Sequence, residues 1–106
     1  MLTSSQKLLV DARAGGYAIG AFNTNNLEFT QAIIAAAEKL AAPVIVQTSP
    51  KALEYAGIDE LLGIIRELGE KATGPVVVHL DHGKDPSMIR ELIKKKLHTS
   101  IINSHF

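Results

Sequence analysis

Cysteine is missing from all 106 residues, which removes disulfide frameworks and thiolate metal sites and leaves His, Asp and Glu as the available metal ligands. An excess of charge of either sign is also missing. Eleven basic and eleven acidic residues give a formal net charge of zero, so no long-range field gathers phosphate backbones or anionic lipid. Nucleic acid and membrane surfaces are therefore not expected partners. No apolar run approaches a membrane-spanning length. The opening Met1-Leu2-Thr3-Ser4-Ser5-Gln6-Lys7 has no basic region leading into a long apolar core, so it does not read as a secretory signal. Internal repeats and low-complexity tracts are absent too, and a reducing, cytoplasmic setting fits all of these observations.

What is present is a chain of 46% apolar residues, long enough for one domain with a modest core. Ser4 or Ser5 can cap a first helix carrying Leu8, Leu9 and Ala12, and Gly15-Gly16 supplies its stop. Ala18-Ile19-Gly20-Ala21-Phe22 is too short for a stable helix and reads as a strand running into the polar Asn23-Thr24-Asn25-Asn26. Asn25 and Glu28 approximate a capping box. Phe29, Ile33, Ala36 or Ala37, and Leu40 then predict the apolar face of a helix that runs to about Ala42 and stops at Pro43. Val44-Ile45-Val46 reads as a second strand ending in Gln47-Thr48-Ser49-Pro50. Leu61, Leu62, Ile64, Ile65 and Leu68 mark a helix between Asp59 and about Lys71, with Glu60, Arg66, Glu67 and Glu70 outside its stripe.

Gly74-Pro75 opens the most informative stretch, Val76-Val77-Val78-His79-Leu80-Asp81-His82-Gly83. Three valines and a leucine predict a strand covered on both faces, so His79, Asp81 and His82 belong at its C-terminal end, where they can be solvated. Asp85-Pro86 then opens a helix whose buried face is Met88, Ile89, Leu92 and Ile93. Ser100-Ile101-Ile102-Asn103 predicts a fourth strand. Strand starts near positions 18, 44, 76 and 100 recur at roughly the thirty residues of a βαβ unit. The fold class is α/β with parallel strands, as an open doubly wound sheet or a (β/α)8 barrel, and both gather their chemistry at C-terminal strand ends.

Those ends offer Asn23, then Gln47 and Ser49, then His79, Asp81 and His82. Together an amide, a hydroxyl, a carboxylate and an imidazole suit a polyhydroxylated or carbonyl substrate, with a metal as electrophile. Simpler roles stand beside each. Asn23 through Asn26 serve equally as a turn and helix cap, Ser49 as the cap of a helix begun by Pro50, and Gln47 alone says nothing. One histidine at a strand end is ordinarily a hydrogen-bonded structural residue. Two histidines flanking an aspartate are harder to explain that way, because each is costly to bury unpaired. His79 shares a face with Asp81 and can orient it, whereas His82 points elsewhere unless the strand has already turned.

Pro75-Val76-Val77-Val78-His79-Leu80-Asp81-His82-Gly83 resembles the first signature of the class II, zinc-dependent fructose-bisphosphate and tagatose-bisphosphate aldolases. Ala21-Phe22-Asn23-Thr24-Asn25-Asn26-Leu27-Glu28 and Ala42-Pro43-Val44-Ile45-Val46-Gln47-Thr48-Ser49 resemble that family's first and second strand ends, in the same order. The resemblance runs to about residue 95 and selects the barrel, of which residues 1–106 would form the N-terminal part, about β1–β4. It implies reversible cleavage of a ketose bisphosphate to dihydroxyacetone phosphate and an aldehyde, with a sugar phosphate as the binding partner. By the resemblance, His82 is a zinc ligand, Asp81 exchanges a proton with the aldehyde oxygen, and Asn23 and Ser49 line the substrate site.

Departures accompany the matches. A (β/α)8 barrel takes about 250 residues. The family's other two histidine ligands, its carbon-acid glutamate and its glycine-rich phosphate loops fall beyond Phe106. Residues 96–106 diverge: Lys96-Leu97-His98-Thr99-Ser100-Ile101-Ile102-Asn103-Ser104-His105 lacks the family's aspartate, and His105 is not assigned as a ligand. The expectation is an isolated chain without turnover, completed by a complementing chain, as a homo-oligomer, or as a truncated copy of a longer protein. The alternative is a non-catalytic fragment or interaction module.

Overall fold

A computed structural model describes residues 1–95. In chain order the elements are α1 (Ser5–Gly15), β1 (Ala21–Asn23), α2 (Leu27–Lys39), β2 (Val44–Thr48), α3 (Pro50–Ala56), α4 (Ile58–Lys71), β3 (Val76–Leu80) and α5 (Pro86–Lys94). The strands form one parallel sheet in the order β1-β2-β3. The fourth strand expected at 100–103 lies outside the described residues.

Helix ends follow local chemistry. Gly16, at φ 72°, stops α1 in the left-handed region. Asn26 rather than Asn25 caps α2, its side chain accepting from the Phe29 N–H at 2.8 Å. α2 ends at Lys39, and Ala41 turns the chain at φ 51°; Ala42, the residue before Pro43, is in turn held out of helical geometry by the proline. Ser49 and Asp85 cap α3 and α5, each followed by proline at the first helical position. β1 begins at Ala21, later than the apolar run starting at Ala18 suggested.

One face of the sheet builds the core. Val44 and Val46 of β2 and Val76, Val78 and Leu80 of β3 cluster with Ile34 of α2, Leu53 of α3, Leu61, Leu62 and Ile65 of α4, and Leu92 of α5. By the two-residue pleat, Ile45, Gln47, Val77 and His79 point to the opposite face. β3 is nearly buried on both faces. β2 alternates buried and half-buried residues instead.

In two helices part of the expected apolar face is exposed, while Ile33 and Ala37 of α2 do pack against the core. In α2 the buried positions are Thr30 and Ile34, while Phe29 and Leu40 are exposed. Ile33 and Ile34 make the helix apolar on adjoining faces, and hydrogen bonding settles its rotation. The fully buried Thr30 hydroxyl reaches Asn26 O at 2.8 Å and the Thr24 hydroxyl at 2.7 Å. Phe29 and Leu40 are consequently turned outward, and Ile33 and Ala36 line an apolar groove of about 420 Å³ beside Phe22. In α5, Leu92, Met88 and Ile89 meet the core and Ile93 does not.

The N-terminal segment closes the bottom of β3. Val76 N–H donates to Met1 O at 2.8 Å and Thr3 N–H donates to Val76 O at 2.9 Å, a parallel bridge between Leu2 and Val76. The N-terminal ammonium donates to Ala72 O and Gly74 O at 2.8 and 2.7 Å. Gly69 of α4 makes room for this: a Cβ there would stand 2.5 Å from Leu2 Cδ2.

Leu61→Ala, at a site fully shielded from solvent, is expected to cost about 2–5 kcal/mol in urea unfolding. Glu38 accepts the backbone N–H and hydroxyl of Thr73 at 2.9 and 3.0 Å, tying α2 to the approach to β3, and these bonds hold its carboxyl below the ordinary value of 4.5. A carboxyl depressed in the folded state stabilises above its unfolded pKa, and that contribution is lost as pH falls through the folded one. Glu38→Ala should therefore lower the unfolding midpoint at pH 7, with the difference from wild type shrinking as pH drops below 4.5.

Candidate active site

Strand register sets the site. Asn23 is the Cα partner of Gln47, and Gln47 is the partner of His79, so three polar side chains form one row across the C-terminal ends of the strands. Backbone bonds extend the ladder past the strands themselves: Thr24 N–H donates to Gln47 O at 2.9 Å, and Asp81 N–H donates to Thr48 O at 2.8 Å. Asp81 is thereby fixed one step above the row, on the face of His79.

The Asp81 carboxylate is held by amides. Asn23 Nδ2 donates to Asp81 Oδ2 at 3.3 Å, Gln47 Nε2 lies 3.5 Å from the same oxygen, and Gln47 Nε2 also donates to Asn23 Oδ1 at 2.8 Å. Asp81 is 16% exposed at its side chain. The hydrogen bonds that orient this carboxylate come from the Asn23 and Gln47 amides and not, as expected, from His79. Burial pushes the His79 imidazole below its ordinary value of 6.5, and the Asp81 charge partly offsets this.

His82 has turned. β3 ends at Leu80, and His82 takes φ 59°, the left-handed region that costs a non-glycine residue about 1–2 kcal/mol. The turn brings its Nε2 to 3.7 Å from Asp81 Oδ1 and leaves the ring about half exposed. Carboxylate and imidazole thus share one mouth, as adjacent residues of a continuing strand would not. Ser49 stands at the end of β2, where its oxygen accepts the Ala52 N–H at 3.2 Å in the α3 cap. The cap uses the lone pairs of Ser49 and leaves its hydroxyl proton available to donate.

A catalytic zinc takes three protein ligands. Among the described residues no group of three His, Cys, Asp or Glu side chains is placed to hold a metal, so His82 with Asp81 does not make a zinc site unaided. Gln47, uninformative as a single residue in the sequence, is brought by the structure between Asn23 and Asp81. Its signal is a matter of register: the polar residue at each of three parallel strand ends falls in one row.

These features define a class: an α/β chain built as the N-terminal part of a (β/α)8 barrel, with a carboxylate and an imidazole at the C-terminal mouth. The sequence model for Fructose-bisphosphate aldolase class-II matches residues 3–105, and the chain belongs to that family. It is 44% identical over 95 residues to a fructose-bisphosphate aldolase of Thermus caldophilus, covering 90% of this chain and 31% of the relative. It is 49% identical over 85 residues to that of Streptococcus pyogenes serotype M1, covering 77% and 29%. Among solved structures, the YdjI aldolase of Escherichia coli K12 superposes with a TM-score of 0.84 at 30% identity, covering 89% of this chain and 37% of that one. A putative fructose-1,6-bisphosphate aldolase of Coccidioides immitis gives 0.80 at 34% identity, covering 86% and 31%. The chain spans about a third of the length of these relatives. No helix among the described residues is long and apolar enough to cross a membrane.

His82→Asn should keep most of the stability, because asparagine tolerates the left-handed region, whereas the β-branched His82→Val should lose about 1–2 kcal/mol in urea unfolding. His79, with its folded pKa below 6.5, favours the native state above that pH and loses its contribution as pH falls through the folded value. Between pH 7 and 5, wild type should lose more stability than His79→Gln, as read from urea midpoints at each pH.

Proposed function

We propose that this chain supplies the first part of a zinc-dependent class II aldolase site acting on a ketose 1,6-bisphosphate, in cytoplasmic carbohydrate metabolism of the glycolytic kind. The observation that carries this reading is the Asp81 carboxylate, held at the mouth of β3 by amides from β1 and β2 and faced by His82, in a chain of the aldolase family. In cleavage, Asp81 takes the proton of the hydroxyl that becomes the aldehyde, as the adjacent C–C bond breaks and its electron pair stays with the dihydroxyacetone phosphate fragment. In condensation it returns that proton. With a fructose substrate the aldehyde is glyceraldehyde 3-phosphate. Asn23 and the Ser49 hydroxyl border the same mouth and bind the sugar phosphate.

His82 is one zinc ligand. The remaining ligands come from polypeptide outside residues 1–95. A second reading, a non-catalytic fragment or interaction module, is favoured by the lack of a three-ligand group among the described residues and by the open apolar groove beside Phe22.

A coupled assay for dihydroxyacetone phosphate should find no turnover of fructose bisphosphate by the purified chain, with or without zinc. Zinc-dependent cleavage would show that the chain needs no completion. Residues 1–95 grafted in place of the matching segment of the Thermus caldophilus aldolase should restore cleavage, and Asp81→Asn in that chimera should lower kcat by about 10²–10⁴-fold. A folded but inactive chimera, or an active one indifferent to Asp81→Asn, would sink the assignment. In calorimetry, sub-micromolar zinc binding unaltered by His82→Ala would remove His82 from the ligand set.

A further inference from the structure

We propose that Gln47 is a positioning residue: its side-chain amide fixes which way round the Asn23 amide sits, so that both amides engage Oδ2 of Asp81 and Oδ1 is left on the His82 side. The inference rests on the acid/base reading of Asp81 and adds to it a residue that acts through another and an assignment of the two carboxylate oxygens.

The geometry is a closed triangle. Gln47 Nε2 stands 2.8 Å from Asn23 Oδ1 and 3.5 Å from Asp81 Oδ2, and Asn23 Nδ2 stands 3.3 Å from the same Oδ2. An amide has one accepting end and one donating end. Turning Asn23 alone would set its NH2 against the Gln47 NH2 and its oxygen against the carboxylate. Turning Gln47 alone would set its oxygen against both Asn23 Oδ1 and Asp81 Oδ2. Turning both would point two amide oxygens at one carboxylate oxygen. Only the observed arrangement satisfies every pair, and Gln47 is the member that touches both others from the central strand.

The two Asp81 oxygens become unequal as a result. Oδ2 is drawn on by two amide donors, while Oδ1 faces His82 Nε2 at 3.7 Å. A carboxylate oxygen already accepting two hydrogen bonds is the poorer base, so the hydroxyl proton of the substrate goes to Oδ1, on the side of the proposed zinc ligand.

The test is the Asn23 side-chain resonances in ¹H–¹⁵N spectra of the 106-residue chain, compared between wild type and Gln47→Met, which keeps length and removes both amide ends. In wild type the Asn23 Nδ2 protons should be protected from solvent exchange. In Gln47→Met that protection should be lost. The backbone amides of Thr24 and Asp81, bonded to β2 carbonyls rather than to the Gln47 side chain, should keep their shifts. Unchanged Asn23 protection in Gln47→Met would overturn the proposal. So would loss accompanied by equal shifts at Thr24 and Asp81, which would make Gln47 a strand-holding residue only. An independent reading comes from urea midpoints: Gln47→Met should shift the midpoint more in the parent than in an Asn23→Ala background, where only the longer Gln47–Asp81 contact is left to lose, and equal shifts in both would also count against it. None of these measurements uses turnover, so an inactive chimera would fail the aldolase reading while leaving this result standing.

Discussion

Backbone pairing of β2 with both neighbours at once is the interaction on which core and site together depend. Parallel bonds align Asn23, Gln47 and His79 as partners, and the same pleat sends Val44, Val46, Val76 and Val78 into the helix layer. A slip of one residue would exchange the two sets, placing valines in the mouth and amides in the core. Apolar burial on one face therefore holds register for polar groups on the other. The site needs no strong interactions of its own: amide bonds of 2.8 to 3.5 Å suffice once the strands have delivered their side chains within reach.

The loop after β1 shows how the second layer of support works. Thr24 is buried, its N–H bonded to Gln47 O and its hydroxyl to Asn26 O and Thr30. This pair of hydroxyls anchors the end of a strand only three residues long, and it does so from the start of α2. A helix that packed solely by its largest apolar side chains would have buried Phe29. Instead the rotation of α2 is set by two threonines, and the Asn23 amide stays at the height of the Asp81 carboxylate.

Much of this was legible in the sequence because it is local. Alternating apolar strands and helices, Ser49-Pro50 and Asp85-Pro86 as helix openings, and the polar residues after each strand follow from propensity and capping. The resemblance of three ordered strand ends to class II aldolases identified the family that the sequence model confirms. What escaped is long-range. Gln47 acquires meaning only when register sets it between Asn23 and Asp81. The turn of His82 into left-handed geometry depends on where β3 stops pairing, which no side-chain pattern announces. In α2 the expected Ile33 and Ala37 reach the core but Phe29 and Leu40 do not, because two adjoining isoleucines leave periodicity undecided and a buried hydroxyl pair decides it.

The bonds made by Met1 and Thr3 set an order of events for a growing polypeptide. They join residues 71 to 75 positions apart, closing a loop that includes α1, β1, α2, β2, α3 and α4. Closing so long a loop carries a large entropic cost and yields few contacts of its own. Residues 1–3 must therefore wait for β3 to leave the ribosome before they find these partners. During translation the lower edge of β3 and the N-terminal segment are unpaired at the same time, and their joining is the step that covers that edge.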